Sequence, residues 1–206
     1  MISPPRDPYD KDTFLDQLGD KVLGGLADAI GSARKDLTAY RDEHPSWVSA
    51  HSERGLADWI HDRVWDHFSR NLDGLNSVVF REHGSTREVL VDGRLRLRVK
   101  RHDMQGAIST YPTQTALSFY QQSPQLSLFG ESVDVNVVVG YIWKRESREI
   151  GSSVVSLRDG VDNVLWVHEL PEPPATTSVI VPSVPDAPAP TVVVREKAEQ
   201  ISAKES

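Results

Sequence analysis

Cysteine is absent from the 206-residue chain, and disulfides, thiolate metal sites and a cysteine nucleophile are absent with it. Packing alone must hold such a fold, and a reducing cytoplasm suits it. No apolar run approaches the roughly 20 residues needed to cross a bilayer. The opening MISPPRDPYDKD has neither the basic nor the apolar region of an export signal. A soluble, cytoplasmic protein with no membrane partner is expected. An overall excess of basic charge is missing too: 23 Lys and Arg against 30 Asp and Glu leave a formal charge of −7. That balance argues against indiscriminate nucleic-acid binding, which relies on many cations displacing counterions. A Gly-rich phosphate loop, a nucleophile elbow and a dinucleotide fingerprint are also lacking, so no cofactor and no catalytic residue are expected.

What is present suits one domain with extensions. Hydrophobic residues make up 38% and charged residues 26% of the chain, with five Trp, an ordinary globular balance. From about residue 12 to 40, Leu15, Leu18, Val22, Leu26, Ile30, Ala33, Leu37 and Tyr40 recur at three- and four-residue spacing and draw one apolar stripe on a long helix. Gly19, Gly24, Gly25 and Gly31 weaken it, each by about 1 kcal/mol relative to Ala, so a bend or dependence on partner packing is expected. Pro45 ends that element. A second helix over about 53 to 72 aligns Leu56, Ile60, Val64 and Phe68, a row suited to packing on a sheet.

Short apolar segments follow near 77–81, 87–91 and 94–100, joined by His83-Gly84-Ser85 and Asp92-Gly93, which are turn sequences. Tyr111-Pro112 introduces a short helix to about residue 122. Residues 133–143 are valine-rich and nearly all apolar, as a central strand covered on both faces requires. Two further strands are read near 152–157 and 163–168, with Arg158-Asp159-Gly160 turning between them. The fold class is therefore α+β: an antiparallel sheet of about six strands in two three-stranded groups, with two N-terminal helices and one short inserted helix. Residues 1–51 read as an N-terminal helical extension, 52–170 as the α+β domain, and 171–206 as a proline-rich disordered tail. That tail holds seven of the thirteen prolines and would serve as a tether. Its VVVRE segment could add a strand to a partner's sheet.

The most informative stretch is TREVLVDGRLRLRVKRH, from 86 to 102. After Asp92-Gly93, Arg94, Arg96, Arg98 and Lys100 alternate with Leu95, Leu97 and Val99, which places a basic and an apolar row on opposite faces of a hairpin strand. If the loop holds three residues with a bulge, Glu88 is expected to face Arg96. With a two-residue loop, Arg87 is expected to face Arg98. An exposed row of Arg94, Arg96, Arg98 and Lys100 is the candidate partner-binding site, for an acidic protein or, locally, a phosphate backbone.

Gln125-Leu126-Ser127-Leu128-Phe129 resembles the pentapeptide by which bacterial replication and repair proteins bind the DNA sliding clamp. The resemblance implies that Gln125 is anchored by hydrogen bonds and that Leu126, Leu128 and Phe129 enter an apolar pocket; the same apolar residues could instead fill the core. His61 and His67 lack the i, i+4 spacing of a helical zinc pair, so no metal site is expected. Arg54 and His61 have a spacing that resembles the arginine–histidine motif of helical HEPN ribonucleases, whose all-helical fold does not suit this chain. Glu53, Asp92 and Lys100 resemble elements of the restriction-endonuclease-like core, except that Arg98 stands where that core needs a metal-binding acid.

The segments IHDRVW, RLRVKRH, YPTQTALSFY, VVGYIW and SLRDGVDNVLWVHEL resemble a family of uncharacterised actinobacterial proteins often encoded beside a helix-turn-helix regulator fused to a zinc-peptidase-like domain. The resemblance spans about residues 55 to 170 and carries over no catalytic residue. It implies one member of a two-gene regulatory or toxin–antitoxin-like module. Together these readings give a noncatalytic binding protein as the leading expectation. The alternatives are a clamp-binding accessory protein and a toxin acting on nucleic acid or translation.

Overall fold

A computed structural model describes residues 9–84, 86–122 and 135–172, all of which fall within one compact unit, Met1–Pro174. Helix α1, Lys11–Glu43, starts where the Asp10 carboxylate accepts from the Thr13 N–H at 3.0 Å, a side-chain cap for an otherwise unpaired donor. It bends at Gly19, whose φ of 74° and ψ of 153° lie outside helical space. The expected bend thus falls at one of the four glycines, where a residue without a Cβ adopts positive φ cheaply. Pro45 does more than end α1: with Pro45 in its first turn, a short helix α2, Pro45–Ala50, begins there. Helix α3, Glu53–Asn71, is capped by Ser52, whose hydroxyl accepts from Gly55 N–H at 3.0 Å.

Six strands follow in chain order: β1 Val78–His83, β2 Thr86–Val91, β3 Leu95–His102, β4 Val135–Lys144, β5 Glu149–Arg158 and β6 Val164–Glu169. Helix α4, Gln114–Tyr120, lies between β3 and β4. The strands form one sheet in the order β1-β2-β3-β4-β5-β6. The two three-stranded groups are antiparallel meanders, but they join through a parallel pair, β3 with β4. Parallel neighbours cannot be linked by a tight turn and require a crossover, and the segment carrying α4 is that crossover.

Burial follows the period-two rule. Leu95, Leu97 and Val99 of β3 and Val137 and Val139 of β4 share one core with Phe14, Leu26, Ile30, Leu56, Ile60 and Phe68 of α1 and α3. The first helix, read from sequence as part of an extension, therefore contributes to the same core as the sheet. On the opposite sheet face Val138 joins Ile108, Phe119 and Tyr120 in a smaller cluster beneath the crossover. The even-numbered residues of β3, Arg96, Arg98 and Lys100, necessarily lie on that second face. Gly140 pairs with Lys100 across the parallel ladder. A Cβ there would lie 1.9 Å from the Lys100 carbonyl oxygen, so only glycine lets the strands meet at this point.

Candidate anion-binding groove

The hairpin register decides the fate of the basic row. Asp92 and Gly93 both take positive φ, 51° and 67°, and Arg94 N–H donates to the Val91 carbonyl at 3.0 Å. Val91 nevertheless pairs with Leu95 and Val89 with Leu97. The loop spans three residues, as one of the two expectations had it, but without the expected pairing: continuing the ladder puts Glu88 beside Arg98, not Arg96. Glu88 is 15% exposed and accepts from Arg98 Nε at 2.9 Å and from Nη2 at 2.5 Å. Its other oxygen lies 3.8 Å from Arg96 Nε.

The row is consequently divided. Arg94 is exposed on the turn. Arg98 is only 12% exposed, and its guanidinium carbon sits 4.1 Å from the centre of the Phe119 ring, a desolvated cation–π contact. It departs from the expectation of a cation free at the surface. Lys100 is half-buried, and among the described residues its ammonium has no ion-pair or hydrogen-bond partner. Burial, and then the like charge of Arg98, hold the Lys100 pKa below the usual lysine value.

Lys100 opens into a groove made of three adjoining cavities. The central one, of about 860 Å³, is lined by Arg54, Asp58 and His61 of α3, by Lys100 and Arg101 of β3, and by Ser109, Thr110 and Tyr111 of the crossover. A cavity of about 220 Å³ shares His61, Lys100, Thr110 and Tyr111 and extends towards Arg87 and Thr115. A third, of about 410 Å³, shares Glu53, Arg101 and Ser109 and extends towards Trp143 and Arg145. Two features of the topology make this groove. β3 runs on past the start of β2, and the crossover leaves at its end before passing over the sheet. A break in strand connectivity at the carboxyl end of a parallel pair is where open sheets commonly form clefts.

Neighbouring groups set the electrostatics. Arg87 Nη1 lies 2.5 Å from Asp62 Oδ1 and 3.4 Å from His61 Nδ1. A guanidinium has no acceptor, so Nδ1 accepts, which leaves His61 neutral with its proton on Nε2. Burial first, then the charges of Arg87 and Lys100, hold the His61 pKa below the usual histidine value. Glu53, in the first turn of α3, lies 3.2 Å from Arg101 Nη1 and 3.5 Å from Arg148 Nε. Arg54 and Asp58 are both exposed and 3.9 Å apart. Tyr111 stands 83% exposed at the rim. The walls thus offer many donors and an uncompensated cation, which suits an anionic ligand.

The other residues singled out from the sequence are spread about. His67 does not meet His61: its Nε2 is 2.7 Å from Asp36 Oδ2, in a clasp with Arg63 that joins α3 to α1. Among the described residues no group of three or more His, Asp and Glu has a metal-binding arrangement, and no helix is long and apolar enough to cross a membrane. Arg54 and His61 line one cavity together with Lys100. Asp92 is on the β2–β3 turn, away from Glu53. Gln125, Leu126, Leu128 and Phe129, Ser85 of the first turn, and the proline-rich tail beyond residue 172 lie outside the described residues. Sequence reasoning weighed His61 only as a zinc ligand and as half of an arginine–histidine motif, and kept it in neither role. The crossover hydroxyls escaped it altogether, because only the parallel pairing brings residues 109–115 opposite α3.

Comparison of the chain with protein-family models, curated proteins and solved structures finds no match.

Proposed function

We propose that this is a noncatalytic binding protein that receives an acidic segment of a partner protein in the groove between α3 and the crossover, with Lys100 at its centre. The observation that carries this is the half-buried Lys100 ammonium, which has no partner among the described residues. A partly desolvated charge left without a counter-charge is unfavourable, and an incoming carboxylate or phosphate relieves it with a charge-assisted bond. Arg54, Arg87, Arg101 and Arg145 add guanidinium donors along the groove, the first three each beside a carboxylate, so the unmatched positive charge is concentrated at Lys100, although the chain as a whole is acidic. Local focusing of this kind gives selectivity for a matching partner without general polyanion affinity. The resemblance of the same region to a family encoded beside a regulatory protein supports a neighbouring gene product as that partner.

Affinity capture from native lysate tests this. The wild-type chain should retain a partner that Lys100→Glu does not, with both proteins equally folded by circular dichroism. Retention unchanged by Lys100→Glu would rule the groove out. A second reading, a toxin acting on nucleic acid, is favoured by one observation, the shared cavity of Arg54 and His61. Growth arrest on expression without the neighbouring gene, relieved by His61→Ala, would select it.

A further inference from the structure

The narrow end of the groove, the cavity of about 220 Å³, differs from the rest in its lining. Its charged groups are Arg87, Arg98 and Lys100, with His61 beside them, and no carboxylate lines it among the described residues. Two of those charges are already met from outside the cavity: Asp62 is 2.5 Å and Glu82 3.6 Å from Arg87, and Glu88 accepts from two donors of Arg98. Lys100 remains the uncompensated cation, with three donors of its own. Facing it from the crossover are Thr110, Thr113 and Thr115. Thr113 Oγ1 already accepts from the Ala116 N–H at 3.1 Å, so its hydroxyl hydrogen is available to donate. The neutral His61 adds an Nε2–H.

This wall supplies hydrogen-bond donors far in excess of acceptors. A carboxylate brings one charge and two oxygens. A phosphomonoester brings about −1.5 to −2 charge and three terminal oxygens, all acceptors. A phosphodiester polymer would bring one charge per phosphate, and its neighbouring phosphates would run against Glu53, Asp58 and Asp103, which line the rest of the groove. A segment whose acidity is concentrated in one multiply charged group keeps that charge at the Lys100 end and meets less of this repulsion. Building on the groove as receptor for an acidic segment of a partner protein, we propose that its narrow end is a phosphomonoester subsite, so that the recognised segment carries a phosphorylated serine or threonine.

The full chain, labelled with ¹⁵N, is titrated with a short phosphoserine peptide and with the same peptide carrying glutamate, at equal ionic strength. The phosphoserine peptide should bind saturably and at least tenfold more tightly, shifting the amides of Lys100, Thr110 and Thr115. Lys100→Gln should remove at least tenfold of that affinity. Thr115→Val, at an exposed helix position where misfolding is not expected, should remove about threefold. Binding should also raise the His61 ring pKa, because a dianion would face the charges that now surround it: Arg87 from β2, Lys100 from β3, and Asp58 and Asp62 from its own helix. Equal affinity for the two peptides, or phosphopeptide affinity untouched by both substitutions, overturns the phosphate assignment. So does tighter binding of a single-stranded oligonucleotide than of the phosphopeptide. If partner capture still depends on Lys100 while the phosphopeptide fails, the groove stands and only the phosphate assignment falls. If Lys100→Glu leaves capture unchanged, the groove itself falls.

Discussion

Gly140 sits opposite Lys100 across the parallel β3/β4 pair, and the carbonyl of Lys100 occupies the space that a Cβ at residue 140 would need. The residue at the centre of the groove is thereby held by a backbone approach that no other amino acid permits.

Gly140→Ala should therefore destabilise the chain by about 3 kcal/mol or more, since the contact is with backbone and the strands must part to relieve it. Gly24→Ala is the matching control: nothing lies within 4 Å of its added Cβ, and alanine in a helix should stabilise by about 0.5–1 kcal/mol. Urea denaturation of both variants checks the pair. Equal midpoints would show that β3 and β4 tolerate separation at this point.

The basic row should behave as two classes of residue. Arg94→Glu, on the exposed turn, should change stability by less than about 0.5 kcal/mol. Arg98→Ala removes a cation that is 12% exposed and leaves Glu88 half-satisfied, which should cost about 2–4 kcal/mol. Adding Glu88→Gln to Arg98→Ala should recover part of that loss, because the cost comes from the stranded carboxylate. Thermal melts of the four proteins read this directly, and additive losses in the double variant would contradict it.

Much of the fold was legible because burial writes period into sequence. The stripe from Leu18 to Leu37 and the alternation from Leu95 to Val99 both mark true core faces. The valine-rich segment does become an interior strand, β4. The pairings within each three-stranded meander were legible too, but the hairpin register and the join between the two groups were not. Alternation says which face Arg98 takes but not that Glu88 and Phe119 wait there, since both arrive through register and crossover. The parallel pairing had no local signature, and the groove is its consequence. Of the candidate partner-binding residues, only Lys100 lies at the groove's centre with its charge unmatched among the described residues.

Partner capture through the groove should weaken with salt. Half-exposed cations lose reach as the Debye length falls from about 10 Å at 0.1 M to about 3 Å at 1 M. Raising salt from 0.1 to 0.5 M should reduce retention severalfold for the wild type and hardly at all for any residual binding by Lys100→Glu. Salt-insensitive capture would point to an apolar contact instead.

Acid stability should show two separate windows. His102 is fully buried, and its Nε2 lies 2.9 Å from Ser156 Oγ. Burial first and the nearby Arg158 charge second depress its pKa to about 4, against the opposing pull of Asp103. Above pH 6.5 neither folded nor unfolded histidine is protonated, and stability is complete. Between about 6.5 and 4 the unfolded chain takes up a proton that folded His102 refuses, so stability falls, by about 3 kcal/mol in all. Asp36 acts lower. Burial alone would raise its pKa, but hydrogen bonds from His67 and Arg63 outweigh that and hold it below the usual aspartate value. Its contribution is present above about pH 4 and is lost only as the carboxylate of the α1–α3 clasp is protonated. Urea midpoints measured from pH 8 to 3 should therefore decline first between 6.5 and 4. His102→Gln should remove most of the decline in that segment, leaving the part due to the depressed His61, and leave the one below pH 4, whereas Asp36→Asn should do the reverse. A wild-type midpoint constant down to pH 4.5 would show that His102 takes a proton in the folded state as readily as in the unfolded one.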